Sequence, residues 1–361
     1  MIYGERLRQM RELHRLTQSD LAGQVVGLTQ PRLSRVEKDL AVPDEELVEA
    51  LAALTGVRSE FFTREPSPDL QGHSPQFRSR TRLTSTAKAA ALQWARLVAE
   101  EYERLRATAA RLPLRLAPQL GATPAEAAGY ARCQLGFSAD DPLPYLILAL
   151  ERAGVTVLGL PYSIDALDAF CAWRDGDPVI AILAGAPGDR LRFSVAHELG
   201  HLLLHATRTL DSAEREADLF AAELLTPLDA IGPAMPPTVT LRGLTMLKSS
   251  WGVSVKSLIR RAREVGAIDQ QRSTSLYRQM SARGWNRVEP GYVPVEKPRA
   301  FRKLAELAYG PGPNVQRLAA DAGWSESLAL AVLDRHATAD ELPFEAVGRA
   351  DNVVPFRPRQ S

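Results

Sequence analysis

The sequence predicts a mainly α protein with a small β-sheet, an α+β fold built of a helical N-terminal bundle, a central mixed domain and a helical C-terminal region. Three observations predict it. Short capped helical patterns fill residues 1–62. A helix–strand–hairpin–helix succession occupies residues 143–205. Helical periodicity then resumes to about residue 340 with no further strand signal.

The chain has 361 residues, more than one ordinary domain. Its hydrophobic content of 45% and charged content of 24% are those of a globular protein, and its net charge is +1. No global field therefore draws it to nucleic acid or membrane, and any DNA contact must come from a local surface. Two cysteines, Cys133 and Cys171, make no disulfide framework and are read as buried, reduced residues. No apolar run is long enough to span a bilayer, and the charged start MIYGERLRQMREL lacks the apolar core of a signal peptide. A cytoplasmic protein with no membrane contact is expected.

Leu7, Met10 and Leu13 recur at helical spacing. Thr17 can cap a second helix with Asp20 at its third position, Gly27 breaks that helix, and Thr29 can cap a third with Pro31 in its first turn. A fourth helix follows Pro43-Asp44 and carries Leu47, Leu51 and Leu54 on one face. Residues 64–86 have linker composition, with a basic run at 78–82 read as a solvated segment. A long helix is expected from Thr86 to Leu112, ended by Pro113, and a shorter one after Pro124. PYLILALERAGVTVLGL reads as helix, turn at Gly154, then strand, and DAFCAWRDGDPVIAIL as a hairpin around residues 175–178. Two strong helices follow, RLRFSVAHELGHLLLH and SAEREADLFAAELL. Residues 238–285 are helical and basic, two or three short helices fill 299–340, and the last twenty residues have the composition of a disordered tail.

His197 and His201 are four residues apart, so a helix places both imidazoles on one face, one turn apart, where they can share a metal ion. Glu198 follows the first histidine and can reach the open side of that metal. There it would take a proton from the attacking water and pass it to the leaving amine. Zn²⁺ is the ion that suits this set, and a catalytic zinc needs a third protein ligand. Glu214 and Glu216 compete for that place: they lie roughly 200° apart round the next helix, so only one can face the ion. Asp218 shares a face with Glu214 and can accept the free ring N–H of a ligating histidine. Three of the six histidines fall within nine positions, and His205, which continues the spacing, is read as a helix-end or supporting residue.

The first 62 residues have the rhythm of a helix-turn-helix. Gln18 opens the first paired helix, and Thr29, Gln30, Arg32, Ser34 and Arg35 lie at the start of the second, with side chains suited to base edges and phosphates. A near-neutral segment is also compatible with a helical module that docks protein, but Arg6, Arg8, Arg11, Arg15, Arg32 and Arg35 lie before most of the acids.

On these residues a resemblance can be stated. LRQMRELHRLTQSDLAG and LTQPRLSRVEKD resemble lambda-repressor-like (XRE) helix-turn-helix domains. RLRFSVAHELGHLLLH, EREADLFAAELLTP and WGVSVKSLIRRAREVGAI resemble the ImmA/IrrE family of zinc metallopeptidases. The resemblance implies a bacterial or phage regulator with a zincin-like domain that cleaves a regulatory protein such as a cognate repressor, with homodimer formation compatible with an operator-binding role. It matches His197 and His201 to the zinc ligands, Glu198 to the catalytic glutamate and Glu214 to the third ligand. There are departures. The turn at 25–28 carries one residue more than the family's, Lys38-Asp39 stands where a glycine is usual, and Asp218 replaces a common Asn.

The expected organisation is residues 1–63 as the helix-turn-helix, 64–86 as linker, 87–139 as helical connector, 140–285 as metallopeptidase and 286–361 as helical C-terminal region. A strand at 179–182 is the expected place for a substrate to add as a further β-strand. The rival reading is a transcription factor whose peptidase-like domain senses a ligand or binds a partner without cutting.

Overall fold

A computed structural model describes residues 1–68, 70, 83–109, 112–165, 167–174, 176–205 and 212–338. The basic run at 78–82, most of the linker and the last twenty residues lie outside these.

The N-terminal bundle comprises α1 (Gly4–Leu13), α2 (Gln18–Ala22), α3 (Gln30–Val36), α4 (Glu45–Thr55) and a 3₁₀ turn, Ser59–Thr63. Local chemistry sets its boundaries. Thr17 and Asp20 form a reciprocal capping box, each side chain bonded to the other's backbone N–H. The Thr29 hydroxyl accepts from Arg32 N at the start of α3. Leu7, Met10, Leu13, Leu21, Leu33 and Val36 are buried together, but Leu54 points outward and Val48 takes its expected place beside Leu47 and Leu51. The extra turn residue is taken up where Gly27 adopts φ +77 and Val26 stands in solvent. Asp39 explains how the chain dispenses with a glycine. It holds the left-handed conformation (φ +58), and its carboxylate accepts from Gly4 N at 2.7 Å, a local bond that offsets the strain.

α5 (Ser85–Arg106) ends six residues earlier than expected. Pro113 is not the cause: the Thr108 hydroxyl takes the Leu105 carbonyl and the chain folds back through Ala109 N to Arg106 O. After α6 (Pro124–Gln134) and α7 (Leu146–Arg152), a three-stranded sheet forms from β1 (Thr156–Gly159), β2 (Ala169–Arg174) and β3 (Asp177–Ile182). The order is β1-β3-β2, with β1 parallel and β2 antiparallel to β3. The helices α8 (Gly188–Leu204), α9 (Ala213–Leu225), α10 (Leu228–Ala234), α11 (Leu241–Trp251), α12 (Val255–Glu264) and α13 (Gln270–Ala282) follow. The last are α14 (Ala300–Tyr309), α15 (Val315–Ala322) and α16 (Glu326–Asp334).

The sheet divides two cores. Val157, Ala169, Cys171, Ile180 and Ile182 face α8, α9 and the helices behind them. Leu158, Phe170, Val179 and Ala181 face the other way, into a core shared by α1, α4, α5 and the C-terminal helices. Burial on both faces is why these strands read as apolar runs rather than alternating ones.

Polar links fasten the C-terminal region to both sides. Glu151 at the end of α7 accepts from Arg299 N and Ala300 N and so caps α14. Ser325 N donates to Gly56 O and Arg58 N to Gly323 O, a reciprocal staple joining the turn after α4 to the turn between α15 and α16. The segment before α14 crosses the start of α8 so closely that a Cβ on Gly188 would lie 2.3 Å from Val293 O. There Glu296 pairs with Arg192 and accepts from Ile147 N. Among the described residues no helix is long and apolar enough to cross a membrane.

His336 gives the C-terminal helices a pH signature. It is fully buried and stacked on Phe301, with Nδ1 against Val332 O and Nε2 accepting from Gly159 N. Burial lowers its pKa from 6.5 to about 3. The unfolded chain then binds a proton that the folded chain refuses, so this contribution is full above about pH 6.5 and is lost as pH falls toward 3. Thermal unfolding between pH 7 and 4 should show a shallower fall in Tm for His336→Gln than for the parent chain. Equal slopes would count against the buried neutral imidazole.

Candidate metal centre

α8 buries Leu191, Val195, Leu199, Leu202 and Leu203 along its length and turns His197 and His201 toward the start of α9. The two helices meet closely because residue 200 is glycine. A Cβ there would sit 3.0 Å from Phe220 Cδ1 and 3.2 Å from Ala217 Cα. Ala217 continues the small-residue contact, and the first turn of α9 is thereby brought over the histidine pair.

The result is a three-donor cluster. His197 Nε2 and His201 Nε2 lie 3.1 Å apart, with the Glu214 carboxylate 3.6 Å from the first and 3.5 Å from the second. Tetrahedral zinc with bonds of about 2.0–2.2 Å sets its ligand atoms about 3.3–3.5 Å from one another, so these separations fit one ion. All three donors lie within 4.8 Å of one another. The site also has orphaned acceptors: Glu198 Oε2 and Glu214 Oε1 are buried and have no hydrogen-bond partner. Such groups are costly to bury unless a cation or a held water meets them. The donor set therefore fits a zinc ion.

The structure places Glu216 away from the cluster and puts it to another use. Its Oε2 lies 3.0 Å from His205 Nε2, and its Oε1 accepts from Ser212 Oγ at 2.5 Å. His205 Nδ1 in turn lies 3.1 Å from His201 Nδ1. With His201 Nε2 kept for a metal, its Nδ1 carries the ring proton and donates to His205 Nδ1. His205 must then carry its own proton on Nε2, toward Glu216. The other histidine of the pair is held directly: Asp218 Oδ1 lies 3.0 Å from His197 Nδ1. Each imidazole thus has a carboxylate behind it, one at first hand and one through His205. The sequence showed these residues but not this pairing, which depends on how α9 is rotated against α8.

The electrostatics follow from the carboxylates. Burial pulls the His197 pKa down, but the hydrogen bond to Asp218 and the Glu214 carboxylate 3.6 Å away outweigh it and raise it to about 10. Burial likewise opposes Glu214, yet the two imidazoles 3.5–3.6 Å away favour its charged form and lower it to about 2. Burial raises Glu198 above the usual carboxylate range against the pull of the two histidines. Cys171, on the inner face of β2, is held protonated by burial first and then by the Glu198 charge. It forms part of the wall. Cys133 is exposed, contrary to the sequence reading.

The strand 179–182 cannot accept a substrate strand: it lies in β3, the centre of the sheet, paired on both sides. The periodicity that marked it as a strand carried no information about its neighbours. Among the described residues β2 is the edge beside α8. Pro178 lacks an N–H, so Trp173↔Pro178 is a non-hydrogen-bonded pair, and the outward backbone groups of β2 belong to Ala169, Cys171 and Trp173.

At the opposite end of the molecule's sequence, Gln18 and Gln30 are brought together. Gln18 Nε2 donates to Glu37 Oε2 at 2.8 Å and its Oε1 accepts from Gln30 Nε2 at 2.7 Å, while Glu37 is anchored by buried Arg11. Arg32 is exposed and paired with exposed Asp44 at 2.9 Å, a bond weak enough to exchange for a phosphate. Arg35 is exposed and Ser34 half-buried, and the Thr29 hydroxyl is engaged as a cap.

Comparison with known families agrees with both regions. Residues 150–263 match the IrrE N-terminal-like domain, and residues 2–60 match a helix-turn-helix domain. No curated protein matches the chain.

His205→Ala should lower zinc affinity about 10- to 100-fold with the fold intact, and Glu216→Gln should act in the same direction. Competition with a chromophoric chelator measures it. Unchanged affinity in both variants would remove the pair from the support of His201.

Proposed function

We propose, from the joining of a helix-turn-helix DNA-binding domain to an IrrE N-terminal-like peptidase domain, that this chain is a DNA-binding regulator that cuts a regulatory protein, such as a cognate repressor. The observation that carries the cutting half is the placement of Glu198 beside a complete His197–His201–Glu214 donor set.

Zinc held there would supply Lewis-acid polarisation of a peptide carbonyl and acidify a bound water. The chain's own residues do the rest. Glu198, with one oxygen unpartnered and its pKa raised by burial, takes the proton of the attacking water and hands it to the departing amine. Asp218 and the His205–Glu216 pair hold the two imidazoles in the tautomer that leaves Nε2 free. A substrate segment adds to the outer edge of β2, taking its hydrogen bonds from residues 169, 171 and 173 and so lying alongside the donor cluster. On the DNA side, Gln30, held by Gln18, faces base edges, and Arg32 and Arg35 meet phosphates or bases. Charge is local here, in keeping with a net charge of +1.

Glu198→Gln should keep zinc and lose all cleavage of a verified substrate. Substrates are sought among repressors encoded beside the gene. Retained cleavage by Glu198→Gln would refute the enzymatic reading, and identical gene regulation by parent and variant would favour a non-cleaving sensor.

Zinc affinity of the metal-free chain should rise about tenfold per pH unit between pH 6 and 8, because His197, protonated up to about 10, must release its proton to bind. Chelator competition at three pH values reads this, and a flat profile would contradict a proton held on His197 in the metal-free chain.

Gln30→Ala with Arg32→Ala should weaken operator binding in a gel shift at fixed salt. No loss of affinity would favour a protein-docking module at residues 1–63.

A further inference from the structure

A cavity of about 300 Å³ opens where the end of α6 meets α7, away from the residues used so far, and Arg115, Leu135, Phe137, Tyr145, Leu148 and Arg152 line it. Its size is at the lower end of the range for small-molecule sites. Gly154 brings together the two backbone segments that carry the arginines. At φ +87, its absent Cβ would lie 2.8 Å from Leu114 Cα and from Pro113 O, so residues 113–115 run directly against the end of α7. Arg115 N donates to Ala153 O at 2.9 Å, one residue from Arg152.

Among the described residues neither guanidinium is paired with a carboxylate, although the chain has 43 acidic residues to offer. Arg152, in the last turn of α7, is favoured by the helix dipole. Arg115 has no such reason to be there. Two exposed cations that line one cavity with half-buried Phe137 and Leu148 offer an anion a charged mouth over an apolar wall.

We propose that this cavity binds a small aromatic carboxylate, its charge between Arg115 and Arg152 and its ring against Phe137 and Leu148. The site is connected to the metal centre by one buried side chain. Arg132 of α6 donates to Ser138 O and Asp141 O, the carbonyls just beyond Phe137, and at 2.6 Å to Leu224 O of α9. α9 carries Glu214 and Asp218. A ligand against Phe137 would therefore lie one hydrogen-bonded side chain away from α9, the helix that carries Glu214.

Ligand-observed NMR titration of the full chain tests this with benzoate and 1-naphthoate, with benzyl alcohol as the uncharged counterpart and inorganic phosphate as competitor at constant ionic strength. At least one carboxylate should bind, benzyl alcohol should not, and phosphate should displace poorly. Arg115→Gln with Arg152→Gln should weaken binding at least tenfold. Both side chains are exposed, so the variant should keep its circular dichroism, and Phe137→Ala should weaken binding independently of charge. Failure of both carboxylates to bind, undiminished binding by the double variant, or displacement by equimolar phosphate would overturn the proposal.

Discussion

The close approach of α8 and α9 at Gly200 is the constraint on which the rest of the centre depends. Two helices with ordinary side chains at the contact would stand farther apart, at the usual interaxial distance of about 8–10 Å or more. Here Ala217 and the edge of Phe220 occupy the space that a Cβ would need. That contact fixes both the separation and the rotation of α9. Glu214 then falls over the two Nε2 atoms, Asp218 behind one imidazole, and Glu216 behind His205. One glycine thus decides which of two competing glutamates stands over the histidine pair.

Buried polar pairs hold this geometry to its surroundings. Arg192, just over one turn beyond the start of α8, binds Glu296 and the carbonyls of Leu143, Pro144 and Gly252. Lys248 of α11 binds Asp189 and Glu289, and Glu289 accepts from Val255 N. Arg6 of α1 binds Glu100 of α5 and the carbonyls of Arg64 and Glu65. Each pair loses solvation on burial, so its net contribution to stability is small, but removing one partner would leave a charge unmatched. Their effect is on register: the start of α8, the segment before α14 and the linker-side end of the first bundle can dock in one way only.

What the sequence made legible was what is encoded locally. The capping residues at Thr17 and Thr29, the hairpin around residue 176, and the two histidines with Glu198 all depend on residues a few positions apart, and periodicity or side-chain chemistry reports them. The misplaced features depend on distant partners. Leu54 looked like core until α4 met the rest of the bundle. The helix α5 ended on a threonine hydroxyl rather than at proline. Strand 179–182 was recognisable as a strand but not as the central one, because strand order is settled by what packs on both faces. The staple between Gly56–Arg58 and Gly323–Ser325 spans more than 260 residues and has no local signature. Asp39 is intermediate: its left-handed backbone was signalled by the missing glycine, but the bond to Gly4 that makes it tolerable was not.

The sheet joins the two halves of the molecule more tightly than a linker between domains would. Its strands are thin, so successive residues of β2 belong to different cores: Cys171 stands beside Glu198, whereas Phe170 lies with the helices of the N-terminal bundle and the C-terminal region. A polypeptide laid along the outer edge of β2 would therefore bear on the wall of the metal centre and on the core that carries α1 and α4. Close-packed protein interiors transmit strain rather than absorb it. Coupling between substrate and DNA would then need no moving linker, only a shift of one edge strand against the two cores that it separates.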